Sequence, residues 1–335
     1  MLNPKISICI PTYKRVDSLI NCLNSIAIAA KKHVGRFEIC VSDNGSDKRT
    51  SYIVKNAAKP LEVNYHQNEK NIGVSRNFIQ VVSMAKGEFA WLIGDDDLLL
   101  PDTFDRLLPL LDEKKGIDFF YLNSFHIDKT FIDSHSHPFD TRKLPLVMKP
   151  FSGKIDSGEL DFFELIDPKV SFDFLGGVFL SAFRKSKWDS MVDMLDLQAI
   201  NSSETFSHFD NTFPHIKIWA HAFSKSRAYF NALPMNICIT GHREWAPLEP
   251  LVSNIRLIEA LDTYKLNGMP YWRYVRCKNF ALRNYFPGVM KMLIHKDIYG
   301  FKLSLFKHYL SCALYPNVYL SLFYLLFRKI KALNS

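Results

Sequence analysis

Residues 88–101 read EFAWLIGDDDLLLP, an apolar strand-like run followed at once by three carboxylates, Asp95, Asp96 and Asp97. Like charges this close raise one another's pKa, so the arrangement is costly unless a cation sits among them. A hard divalent cation such as Mg2+ or Mn2+ suits the place, because it takes one or two protein carboxylates and fills its other positions with water and phosphate oxygens. The plainer reading is an acidic helix start, since DLLLPDTF opens a helical pattern and acids favour that end. Three acids in succession at the end of a buried strand favour the metal.

Outward from this stretch, strands are expected at 6–10, 37–42, 61–66, 88–93 and 117–122, with helices near 17–30, 48–57 and 74–85 and another opened by Pro101. Strands and helices alternating at this spacing predict an α/β fold around a mostly parallel, doubly wound sheet. Ligands of such sheets bind beyond the carboxyl ends of the strands. Three of those ends carry distinctive residues: PTYKR (11–15), DNGSD (43–47) and GDDD (94–97). Residues 123–160 read as loop, 161–240 as short strands and helices that complete the sheet, and 255–335 as helical. The expected units are therefore 1–120, 121–254 and, as a basic helical region, 255–335.

A carboxylate at Asp43, with Asn44 beside it, can accept from the N–H groups of a base or from ribose hydroxyls, although Asp, Asn, Gly and Ser also simply favour turns. Arg15 lies near the same edge, and Arg76 falls on the first turn of a helix; cations and helix-start amides suit phosphates. No glycine-rich P-loop or GxGxxG is present, so ATP hydrolysis and NAD chemistry lack their usual signatures.

The ordered series SICIPTYKR, FEICVSDNGSDKRT and NEKNIGVSRNFIQVVSMAKGEFAWLIGDDDLLLP, over roughly residues 4–112, resembles the nucleotide-binding half of a family 2 glycosyltransferase. The resemblance implies a GT-A, Rossmann-like fold and hexosyl-type transfer, expected to invert. It implies that Pro11, Thr12 and Arg15 line the nucleotide pocket, that Asp43 contacts the pyrimidine or ribose, and that the acidic run is the DxD-type metal motif, with Asp95 close to the donor. Many members have Asp-x-Asp-Asp where this chain has Gly94-Asp95-Asp96-Asp97; counting back from Pro101 favours Asp96 and Asp97 as ligands, with Asp95 adjacent.

The family's base is usually an acid of an ED pair before a helix, and no such pair occurs. Glu204 and Asp210 in NSSETFSHFDNTFPHI are the candidates, Asp210 preferred because a helical pattern follows it; a helix-capping role has equal standing. In ITGHREWAP (239–247), His242 and Arg243 suit the diphosphate and Trp245 the face of an acceptor sugar. The pair in SHSHP (134–138) reads as a polar loop, and His208, His215 and His221 read as structural.

Composition separates the tail from the rest. Residues 264–335 hold twelve Lys or Arg against the single Asp297, interleaved with Phe, Tyr and Leu. The longest uncharged stretch, 309–327, contains Pro316 and Asn317, which disfavours a spanning helix. An interfacial helix on anionic lipid fits better, with Arg328, Lys329 and Lys331 as a basic cluster. Six scattered cysteines without a CxxC pair point to reduced thiols and the cytoplasm, and no secretory signal is visible at the first residues.

These readings combine into one expectation: transfer of a sugar from a CDP- or UDP-linked donor to a lipid-linked saccharide acceptor, with Mg2+ or Mn2+, on the inner face of the cell membrane. The length and the FPHIKI segment loosely resemble O-antigen (lipopolysaccharide) enzymes of the abequosyltransferase type, which implies CDP-abequose as donor. Two rival readings are a metal-dependent nucleotidyltransferase, disfavoured by the missing glycine-rich loop, and a nucleic-acid-binding protein using the basic tail.

Overall fold

The computed structural model describes residues 4–30, 32–47, 49–57, 59, 61–204, 206–241, 245–295 and 304–323. The first half builds strands β1 (Ile6–Thr12), β2 (Phe37–Asp43), β3 (Val63–Gln67) and β4 (Phe89–Leu92), with helices α1 (Val16–Ala29), α2 (Arg49–Ala57) and α3 (Val74–Ser83) between them. A two-residue strand β5 (Leu98–Leu99) and helix α4 (Thr103–Glu113) follow the acidic run. Strands β6 (Phe119–Asp128), β7 (Lys149–Pro150), β8 (Gly158–Asp161), β9 (Ser181–Arg184) and β10 (Arg227–Thr240) complete one ten-stranded sheet.

Its order is β3-β2-β1-β4-β9-β6-β10-β5, with β7 on β6 and β8 on β10. The pairs β1·β2, β2·β3, β1·β4 and β6·β10 are parallel, while β9 runs antiparallel between β4 and β6. The α/β architecture therefore agrees with the sequence, as do the helices towards the C-terminus.

Alternation along β1 explains the layering. Ile6, Ile8 and Ile10 pack with Leu19, Leu23 and Ile26 of α1 and with Phe104 and Leu108 of α4, whereas Cys9 faces the other cluster, with Val81 and Val82 of α3. Period-two side chains that are apolar on both faces are what a sheet covered by helices on both sides requires. The second cluster also holds Phe119, which meets Phe162, Trp219 and Phe223 edge-on at 5.0, 5.1 and 5.2 Å.

The stretch 123–160, expected as loop, departs from expectation: residues 123–128 form the second half of β6, with 124–128 paired to Asn236–Thr240 of β10, and β7 and β8 add short strands. All six cysteines are buried and free. Among the described residues no helix is long and apolar enough to cross a membrane. His242, Arg243, Arg328, Lys329 and Lys331 lie outside the described residues.

Candidate active site

Register brings the three distinctive segments together. Thr12, the last residue of β1, pairs with Asp43, the last of β2, which in turn pairs with Gln67 at the end of β3. Beyond them β4 ends at Leu92 and the chain turns through Gly94–Asp97 before β5. All of these are carboxyl ends, where a parallel sheet leaves room for a ligand.

The acidic run is tied to β1 by two contacts. The Thr12 hydroxyl donates to Asp95 Oδ2 at 2.7 Å. The Arg15 Nη1 donates to Asp95 Oδ1 and to Asp96 Oδ2, both at 3.2 Å, so one guanidinium nitrogen bridges two carboxylates. Burial first, and then the neighbouring Asp96 charge, push the Asp95 carboxyl up to about 7 against the opposing pull of Arg15 and Thr12. Asp97 is engaged by the backbone: its Oδ2 accepts the Gly94 N–H at 2.7 Å, closing the turn.

The three acids thus differ in availability. The side chain of Asp96 is 40% exposed and that of Asp95 only 6%. Among the described residues no three His, Cys, Asp or Glu side chains converge as a cage. The Asp95–Asp96 pair still fits a divalent cation in its donor chemistry, two hard carboxylates whose mutual repulsion is relieved by a cation, with the other positions left to substrate oxygens and water. Helix α4 begins only at Thr103, so the acids sit in a turn and are not its first residues.

Asp43 is fully buried, and both of its oxygens are engaged inside the protein: Oδ1 accepts the Ser46 N–H at 2.9 Å and Oδ2 the Tyr65 hydroxyl at 2.6 Å. Asn44 likewise accepts the Ile72 N–H at 2.8 Å and donates to Asn71 Oδ1 at 2.8 Å, which draws residues 68–73 over the end of β2. Gly45 permits this approach, since its φ is +81° and a Cβ would lie 2.8 Å from the Lys70 backbone. Pro11 sits half-buried on β1 opposite Ser42. Arg76 is exposed on the first turn of α3.

Sequence reasoning missed Asn77. It accepts from Ser42 Oγ at 2.7 Å and from Asn68 Nδ2 at 3.1 Å, and donates to the Ser42 carbonyl at 2.9 Å, tying α3 to the end of β2. The signal was an amide at a position in register with the apolar stripe Val81–Val82 of an amphipathic helix.

The second half meets this edge through Ser75, whose hydroxyl donates to the Asn211 carbonyl at 2.7 Å. That places the Asp210 segment beside the start of α3. Asp210 Oδ2 accepts the Asp196 N–H and the Lys217 ammonium, each at 2.6 Å. It does not cap the helix Pro214–Phe223, whose N-cap is Phe213. Buried Arg256 grips the Phe206 carbonyl at 3.0 Å and the Ser207 carbonyl, fixing the segment from behind. Glu204 is exposed, and Trp245 meets Phe206 edge-on at 6.1 Å. Thr12, Arg15, Asp95 and Asp96 therefore touch directly, Asp43 and Asn44 share their edge, and Asp210 approaches through its backbone neighbour.

Behind this segment, His215 Nε2–H donates to the Gly176 carbonyl at 3.2 Å, and burial pushes its imidazole down to about 3. The folded protein keeps it neutral, while an unfolded His protonates near pH 6.5. Stability should hold above that pH and fall as pH drops from about 6.5 towards 3, by up to about 1.4 kcal/mol per unit. Thermal unfolding of His215→Gln should show a shallower acid limb than the parent over this window.

A cleft of about 730 Å3 lies at the opposite, amino-terminal edge of the sheet, lined by Lys5, Arg36, Glu88, Arg184 and their neighbours. Those cations are paired with Glu88, Asp112 and Asp118, so the cleft is an ion-pair surface distant from the chemistry described above.

Residues 7–162 match the family described as Glycosyl transferase family 2. An abequosyltransferase of Salmonella typhimurium is 39% identical over 116 residues, 33% of this chain and 34% of that protein. A GalNAc(5)-diNAcBac-PP-undecaprenol beta-1,3-glucosyltransferase of Campylobacter jejuni is 32% identical over 113 residues, 33% of this chain and 35% of that one. The matches thus span about a third of the length of these relatives. Among solved structures, S. aureus TarS 1-349 in complex with UDP is similar in fold, with a TM-score of 0.54 at 15% identity over 84% of this chain and 72% of that chain.

Proposed function

Residues 7–162 carry a glycosyl transferase family 2 domain in a GT-A fold, and from this premise we propose that the chain moves a sugar from a nucleotide-diphospho-sugar to a lipid-linked saccharide acceptor. The observation that carries the reading is the convergence of Arg15, Asp95 and Asp96 with Asp43 and Asn44 at one sheet edge. A cation and two acids stand where a diphosphate would lie, beside a rigid polar wall for a nucleoside. Because Asp43 and Asn44 spend their side chains on Ser46, Tyr65, Asn71 and Ile72, they act chiefly by shaping that wall. Pro11 and Thr12 form its floor, and Arg76 is free to reach a phosphate from the start of α3.

When bound, Mg2+ or Mn2+ would act as a Lewis acid that neutralises the departing diphosphate. Asp96, backed by Asp95, would hold it, and Asp97 supports the turn. Asp210 is proposed as the base, with Glu204 as the nearby alternative: it takes the proton of the acceptor hydroxyl while that oxygen bonds to the anomeric carbon and the nucleoside diphosphate leaves. A single in-line displacement of this kind inverts the anomeric centre. Trp245 is assigned to the acceptor, and His242 and Arg243 to the diphosphate. The Salmonella abequosyltransferase supports abequose as one sugar to test, for which CDP-abequose in O-antigen synthesis is our proposed donor and setting, and the UDP complex of TarS supports UDP-sugars as the other class to test.

Thermal shift against a panel of CDP- and UDP-sugars, with and without Mn2+, tests the reading. A metal-dependent rise in Tm with one or more of them is expected. Nucleoside triphosphate turnover with no response to any nucleotide-sugar would replace it with nucleotidyl transfer.

The acceptor class implies a position at the inner face of the cell membrane. Helix Leu305–Cys312 buries Cys312 and stacks His308 on Tyr285, leaving Phe306 71% exposed, with Lys307 next to it and Leu314 95% exposed just beyond. Aromatic and Leu side chains interleaved with cations suit an anionic interface. Phe306→Ser combined with Leu310→Ser should therefore reduce co-sedimentation with anionic vesicles severalfold while Tm stays unchanged, because both side chains are exposed in the fold.

A further inference from the structure

We infer that Arg15 is the resident counter-ion of the acidic run, occupying the position between Asp95 and Asp96 that a divalent cation would take, and that it exchanges this partnership for the donor diphosphate when metal and donor enter. The inference rests on the sugar-transfer reading for the identity of the diphosphate.

The geometry is specific. A single Nη1 lies 3.2 Å from one oxygen of each carboxylate. Two adjacent acids, one of them with a nearly fully buried side chain, need a positive charge between them, and Arg15 supplies it. A divalent ion bound to the same two oxygens could not share the space with that nitrogen, and the two cations would repel each other strongly. Binding of metal therefore requires Arg15 to move. Its side chain is 31% exposed, at the N-cap position of α1, so it can turn towards solvent and the substrate without unpacking the core. Guanidinium groups pair with phosphate oxygens in a bidentate fork. Release from the carboxylates would thus deliver a preformed phosphate clamp at the moment the metal arrives. In the resting protein the same contact lowers the affinity for free metal, so that metal and donor load together.

The test is Mn2+ binding to the protein alone, measured by electron paramagnetic resonance of the free ion, for the parent, Arg15→Gln and Arg15→Lys. Arg15→Gln should bind Mn2+ roughly tenfold more tightly, the order expected when one unit charge a few ångströms away is removed near a protein surface. Arg15→Lys keeps the charge without the planar fork and should fall between the two, which separates charge from misfolding. In the presence of Mn2+, UDP and CDP should bind Arg15→Gln more weakly than the parent. Mn2+ affinity in Arg15→Gln equal to or below that of the parent, with a parent-like circular dichroism spectrum, would overturn the inference. Binding of a nucleotide-sugar to the parent protein, followed in the same samples, reports on sugar transfer separately: its absence removes that reading, and its presence with unaltered Mn2+ affinity removes only the role of Arg15.

Discussion

Asp210→Asn is expected to lower kcat for sugar transfer by about two to four orders of magnitude, the usual contribution of a positioned general base, with the donor KM changed only a few fold. Asn keeps the shape and can still accept the Asp196 N–H, but it cannot take the acceptor proton. In the parent protein one oxygen is committed: Oδ2 receives both Asp196 N–H and Lys217 Nζ at 2.6 Å. The Lys217 contact fixes the carboxylate, and chemistry would fall to Oδ1. The substitution also leaves Lys217 without its anion in a site where Asp210 is only 6% exposed, which should cost about 1–3 kcal/mol of stability. The two effects separate in Asp210→Asn combined with Lys217→Met, which should recover Tm without recovering kcat. Recovery of kcat with Tm would make Asp210 a strut between residue 196 and the helix Pro214–Phe223, and Glu204→Gln would then be the variant that stops the reaction.

Much of the fold was legible in the sequence, for a physical reason. The N-terminal strands are short apolar runs covered on both faces, and each ends in turn-forming polar residues, so period and punctuation agree. Their register then aligns Thr12, Asp43 and the acidic run without further information. The second half of β6 was illegible because Asn123, Ser124 and His126 look like loop residues. The polar atoms of Asn123 and Ser124 are partnered by distant backbone: Asn123 donates to the Ala232 carbonyl at 2.8 Å and accepts the Ser152 N–H at 2.9 Å, and Ser124 Oγ donates to the Asn236 carbonyl at 3.2 Å. The 14-residue β10 hides a register shift between Asn231 and Asn236, around Pro234, that breaks its alternation. Asn77, Lys217 and Arg256 share the same difficulty. Each matters through a partner that only the tertiary fold supplies, and only Asn77 carries a local mark, its place in register with the apolar stripe of α3. The Asp210 segment shows the limit of spacing arguments most directly, since a carboxylate placed just before a helix serves here not as its cap but as the partner of a lysine one turn inside it.

The acidic run offers the sharpest contrast among neighbouring residues. Asp96→Asn should cut turnover by about two to three orders of magnitude and remove its dependence on Mn2+, because a developing diphosphate charge would lose its preorganised counter-charge. Its side chain is 40% exposed, and the contact it loses inside the protein is the one with Arg15, so Tm should stay within about a degree or two of the parent. Asp97→Asn should behave in the opposite way. Its Oδ2 closes the turn onto the Gly94 N–H at 2.7 Å in a buried setting, and an amide there presents a weaker acceptor. The expected result is a fall in stability of about 1–2 kcal/mol with Mn2+ dependence retained in the folded fraction. Counting from Pro101 gives Asp96 and Asp97 equal standing as ligands, whereas the turn assigns them to different tasks. Parallel measurement of Tm and of the Mn2+ concentration at half-maximal rate decides between these views. If both variants lose metal dependence with unchanged Tm, Asp97 leaves Gly94 to join the metal and the turn must open on binding; if only Asp96→Asn does, the turn is a rigid platform that presents a single carboxylate to the substrate.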